Sequence, residues 1–63
     1  MEFRVKQLRE DLGMSQEELS RQSGVSRPVI VKLESGEQVS VSTRTLVALA
    51  SALHTPVKEI FTD

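Results

Sequence analysis

The stretch "SQEELSRQSGVSRPVIVKLESG", residues 15–36, constrains this chain more than any other. Ser15 followed by Glu18 is a capping box: the Ser15 hydroxyl accepts from the Glu18 amide and the Glu18 carboxylate can return the bond. Met14 and Leu19 flank it as a hydrophobic staple. The pattern runs to about Ser23 and stops at Gly24. Only Val25 then intervenes before Ser26, a second candidate cap with Val25 and Ile30 as its staple. That helix runs to Glu34 or Ser35, and Gly36 ends it. Pro28 is the second helical residue, where no intrahelical amide partner is needed. The residue before a proline avoids the α region, so Arg27 is an alternative cap, with a helix from Pro28. Ser26 is preferred because it offers both an oxygen cap and a staple.

Two helices joined by three or four residues including a glycine form a helix-turn-helix arrangement. Gly24 can take the positive φ of a sharp turn, and Ser20 is small enough to let the helices approach. The rest of the chain is built to bury them. Val5, Leu8 and Leu12 make an apolar stripe over residues 3–12, and Gly13 is a C-cap. Residues 37–41, "EQVSV", read as loop, with Val39 as loop packing. Ser42 caps a fourth helix, with Val41 and Leu46 as staple and Leu46, Leu49, Ala50 and Leu53 as its buried face. Thr55-Pro56 opens a last helix through Ile60 and Phe61. No stretch alternates for long; "VSVST" at 39–43 is the one short strand candidate. The expectation is an all-α, compact five-helix domain spanning residues 1–63.

A chain of 63 residues with 38% apolar composition and no cysteine sits near the lower limit for a self-sufficient core. Tight helix packing or a partner subunit must compensate. "MEFRVKQLRE" has no apolar signal-peptide core, and "LVALA" is far too short to span a bilayer. A cytoplasmic protein with no membrane role is expected. His54 is the one histidine and suits the dipole at a helix C-terminus; with no cysteine, no metal site and no cofactor are expected. Glu10-Asp11 and Glu17-Glu18 are adjacent in sequence, so each pair diverges on a helix. No serine has a base beside it, the three glycines are scattered, and no enzyme or small-molecule site is read here.

On the third helix, Val25, Ile30 and Leu33 face inward. Arg27, Val31 and Lys32, with Pro28 and Val29 nearby, face outward. Two valines and two cations on a solvent face suit a polyanion with apolar edges. The net charge is −1, yet residues 19–44 carry Arg21, Arg27, Lys32 and Arg44 against Glu34 and Glu37, a local +2.

The sequence resembles the phage repressor and Cro helix-turn-helix family, also called lambda repressor-like or XRE. The resemblance covers nearly the whole chain. It rests on Gln16, Leu19, Ser20, Gly24, Val25 and Ser26; on Ile30, Leu33, Glu34 and Gly36; and on Leu46, Leu49, Ala50, Ala52 and Leu53. Pro28 and a slightly long 36–42 loop depart from the family's pattern.

The resemblance implies a regulator whose third helix enters the major groove of double-stranded DNA. The N-terminal part of such a helix meets base edges, here Ser26, Arg27, Pro28, Val31 and Lys32. Arg27 suits guanine O6 and N7, Lys32 suits guanine or a phosphate, and Val29 and Val31 suit thymine methyls. Phosphate contacts are implied for Gln16 and for Ser40, Ser42, Thr43 and Arg44. A structural ion pair is implied between Arg9 and Glu34, which would keep Glu34 off the DNA face. A homodimer repressing at a palindromic operator is the first expectation. Since the family often dimerises around the 36–42 loop and the last helix, the resemblance gives Val39 a dimer contact as the alternative to loop packing. A protein-interaction module on the same fold, such as an antitoxin or an adaptor, is the alternative, and a restriction-modification controller a variant of the first. The chain is expected to lack a ligand-sensing domain.

Overall fold

The computed structural model describes residues 2–36 and 40–62. Four α-helices carry the fold: α1 (Val5–Asp11), α2 (Gln16–Ser23), α3 (Arg27–Ser35) and α4 (Thr43–Ala52). A 3₁₀ turn, Val57–Ile60, follows α4. Glu2–Phe3 (β1) and Phe61–Thr62 (β2) close the chain on itself as an antiparallel pair, Glu2 opposite Thr62 and Phe3 opposite Phe61.

The expected helical helix-turn-helix fold is present, with a 3₁₀ turn as the fifth helical element, and only the ends of the chain differ from the expectation. α1 begins at Val5 and not at residue 3, because residues 2–3 pair with residues 61–62 and the Arg4 amide donates to the Ile60 carbonyl at 2.6 Å. The expected fifth helix is a single 3₁₀ turn whose exit is drawn into β2. Pro56 stands just before it, its carbonyl accepting from the Glu59 amide at 3.0 Å. Strands of two residues are too short to show any alternation of polar and apolar positions.

The caps account for the other boundaries. Ser15 Oγ accepts from the Glu18 amide at 3.0 Å, and Ser42 Oγ accepts from the Thr45 amide at 3.1 Å. The Glu18 carboxylate does not close the box; it accepts instead from Arg21 and Gln22 on the next turn. Ser26 is the N-cap of α3, as preferred, but its hydroxyl makes no cap bond. Pro28 supplies no amide at the second helical position, and the Val29 amide bonds the Ser26 carbonyl at 3.2 Å.

At their C-termini α1 and α4 share a Schellman arrangement. Gly13 and Met14 amides reach Glu10 and Arg9 carbonyls, and His54 and Thr55 amides reach Ser51 and Ala50 carbonyls. Gly13 and His54 hold the left-handed position, at φ of 68° and 56°.

The core lies between α2, α3 and α4, with α1 against α3 and the 3₁₀ turn against α4. Leu19, Ile30, Leu49, Val5 and Ile60 are fully buried, and Val25, Leu33, Leu46 and Leu53 nearly so. Each α-helix and the 3₁₀ turn thus contributes at least one large apolar side chain, worth about 1.5–3 kcal/mol when fully buried. Met14, Val41 and Leu8 pack partly against this core, as their staple and stripe positions require. Val39 falls outside the described residues. Among the described residues no helix is long and apolar enough to cross a membrane.

Candidate nucleic-acid interface

The turn between α2 and α3 is fastened by more than its glycine. Gly24 sits at φ 75°, which bends the chain after Ser23. Ser20 Oγ donates to the Val25 carbonyl at 2.7 Å, and Ser23 Oγ accepts from the Val25 amide at 3.1 Å. Ser20 is therefore a tether across the turn as well as a small side chain. Val25, Ile30 and Leu33 are buried beneath α3, so the opposite face of that helix is set outward.

That outward face carries the expected residues. Ser26, Arg27, Pro28, Val31 and Lys32 are all exposed, and no other element among the described residues covers them. Arg27, Pro28, Val31 and Lys32 line one shallow depression, its floor apolar and its rim cationic. Val31 is 42% exposed, one of three large apolar side chains left in solvent among the described residues. Among the described residues no hydrogen bond or ion pair engages the Arg27 or Lys32 side chain, whereas Arg4, Arg9 and Arg21 each pair with a carboxylate. Val29 differs from the expectation: it is half-buried against the core and lines the groove toward α4, so it is not on the outer face.

Two grooves flank α3. One is lined by Ser23, Gly24, Ser26 and Val29 on the turn side and by Arg44, Thr45 and Ala48 on α4. It brings Arg44, expected at a phosphate, beside Ser26, whose hydroxyl is free of capping duty. Thr43 and Arg44 are exposed in the first turn of α4, where amides lack intrahelical acceptors and the dipole favours an anion. Ser42 is exposed, but its oxygen is already the cap acceptor. Ser40 is exposed in the connection before it.

The second groove, on the α1 side, is lined by Lys6, Arg9, Gln16, Val31, Glu34 and Ser35. Gln16 is the first residue of α2 and half-buried. Behind it lies the Arg9–Glu34 pair. The guanidinium forks onto the carboxylate, Nε to Oε2 at 2.8 Å and Nη2 to Oε1 at 3.0 Å, while Nη1 donates to the Met14 carbonyl at 2.7 Å. Gln16 Nε2 donates to Glu34 Oε1 at 2.9 Å. Burial pushes the Glu34 carboxyl up, but the hydrogen bonds from Arg9 and Gln16, with the charges of Arg9 and Lys6, outweigh it and hold the group below its ordinary value. The bond to Glu34 raises Arg9 further, against the effect of its burial. With Glu34 turned inward, the outward charges of α3 are both positive. The link from Gln16 to Glu34 has no signal in the sequence, since 18 residues separate them.

The chain matches the Helix-turn-helix family over residues 5–60. It belongs to that family. The lambda repressor-like, XRE resemblance thus holds, and the chain is a DNA-binding transcriptional regulator and not an enzyme. Among solved structures, the restriction-modification controller protein C.AhdI from Aeromonas hydrophila is similar. It is 36% identical with a TM-score of 0.83, over 92% of this chain and 86% of that one. No curated protein matches the chain.

Proposed function

We propose that residues 1–63 form one domain that binds duplex DNA sequence-specifically, as a homodimer on a near-palindromic operator, with α3 in the major groove. The observation that carries this reading is the outer face of α3: exposed Arg27 and Lys32, without partners among the described residues, flanking exposed Pro28 and Val31. Arg27 and Lys32 read guanine edges, Val31 and Pro28 pack on thymine methyls, and Ser26 donates to a base or sugar-phosphate oxygen. Gln16 on one side and Ser40, Ser42, Thr43 and Arg44 on the other hold phosphates, which set the register without carrying sequence information.

Size supports the dimer. The chain measures 24 × 21 × 20 Å, shorter in every direction than the roughly 34 Å between half-sites on one face of B-DNA. One copy therefore covers one half-site. The likeness to a restriction-modification controller favours the same genomic role here, control of such an operon; repression by occluding polymerase is the mode proposed for it.

Selection of bound sites from random duplexes tests the reading. The expected product is an inverted repeat with half-sites about one helical turn apart. Titrations of that duplex with Arg27→Ala and Lys32→Ala follow, and unchanged affinity in both variants removes α3 from the major groove.

A further inference from the structure

We infer that Glu34 is a positioning residue for duplex binding: it holds the Gln16 amide ready for a phosphate, and Arg9 neutralises it so that it can. This rests on the reading that Gln16 meets the DNA backbone. Side chains from two other helices converge on one carboxylate. Arg9 from α1 grips both oxygens, and its own Nη1 is tied to the Met14 carbonyl in the turn before α2. Gln16, at the start of α2, gives one Nε2 proton to Oε1 at 2.9 Å. The Glu34 side chain is only 5% exposed.

An amide nitrogen carries two protons. One is spent on Glu34, and the second has no acceptor among the described residues. The side chain of Gln16 has thus given up its rotamer freedom in the free protein, and a phosphate meets a donor already oriented. A bare carboxylate so near a phosphate would repel it, and the Arg9 fork cancels that charge. The groove holding this network also includes Val31, so the oriented amide lies beside the recognition face.

The test is a double-mutant cycle on the selected duplex with wild type, Gln16→Ala, Glu34→Gln and the double variant. Each single change should weaken binding about three- to tenfold, the scale of one hydrogen bond. The double variant should bind no worse than Gln16→Ala alone, within about twofold. If Glu34→Gln costs the same factor with and without Gln16, Glu34 acts through the fold only and the proposal is overturned. Should Glu34→Gln not fold, amide NMR of the wild-type protein decides. One Gln16 side-chain proton should lie downfield before DNA is added. The other should move on adding the duplex, and should stay put when a neutral methylphosphonate replaces the contacted phosphate. Ordinary free-amide shifts in the unbound protein overturn the proposal. Full affinity in Gln16→Ala also overturns it, yet leaves the α3 reading standing, which only the Arg27 and Lys32 variants can remove.

Discussion

Arg27 and Arg44 are both exposed arginines without partners among the described residues, yet their positions assign them different work. Arg27 opens α3 on its outer face, whereas Arg44 opens α4 across a groove from the turn. Arg27→Ala should cost about 1–3 kcal/mol on the selected operator and relax the preference at one base pair. Arg44→Ala should weaken all duplexes alike and lower the salt slope by about one. Affinity measured across salt on matched and mismatched duplexes separates the two. His54 allows a second prediction. It occupies the left-handed position that closes α4, at φ 56°, where a Cβ is strained and glycine is not. His54→Gly should raise stability by up to about 1 kcal/mol, read as a higher urea midpoint with an unchanged slope. Glu34 supplies a third. Its carboxyl is held below the ordinary value in the folded state. The stability it contributes is therefore complete above the unfolded value, about 4.3, and is lost as pH falls through the folded one. Urea midpoints should fall more steeply with acid in the wild type than in Glu34→Gln. At neutral pH that variant, which breaks a buried pair, should be less stable by about 3–5 kcal/mol.

Among the elements, α3 has the most asymmetric duties. Its lower face holds Ile30 at 0% and Leu33 at 2% exposure, and its upper face is reserved for a ligand. Leu33→Ala should cost about 2–5 kcal/mol, a large share of the 5–15 kcal/mol typical of small proteins. Thermal unfolding followed by circular dichroism would show it, and DNA binding should fail only as the fold does. The start of α3 shows what local reading reaches and where it stops. Ser15, Ser26 and Ser42 look alike as caps, each between two apolar staple positions. Two of them cap by side chain, each accepting from the amide three residues on, and Ser26 does not: the equivalent amide, Val29, bonds the Ser26 carbonyl. The staple residues still pack in all three places, since burial of Met14, Val25 and Val41 depends on spacing and not on the hydroxyl. Val29 goes the other way: two residues from Val31 and expected outward with it, it is half-buried against the core on the groove toward α4.

At the scale of the molecule, one copy is too small to span two half-sites, so affinity should depend on dimer formation. Duplexes carrying a single half-site should bind far more weakly than the full inverted repeat. Changing the half-site spacing by about five base pairs should abolish the gain, because it turns the second site to the opposite face of the duplex. Gel-shift titrations on the three duplexes check this; equal affinity for all of them means that one copy binds alone.

What could be read along the chain is whatever neighbouring residues decide among themselves. The helix starts at Ser15, Ser26 and Ser42, the stops at Gly13, Gly24 and Gly36, and the buried face of α4 all follow from capping and 3.6-residue periodicity, interactions that act within a turn or two. The outward placement of Arg27 and Lys32 follows from the same periodicity once Ile30 and Leu33 are inside. Contacts between distant residues were decided only by the packed molecule. The pairing of residues 2–3 with 61–62 shortens α1 and reduces the expected last helix to one 3₁₀ turn. The hydrogen bond from Gln16 to Glu34 depends on where α1 and α3 meet α2. Such contacts carry no local signature, because closing a long loop is rewarded only after the helices between its ends have found their places.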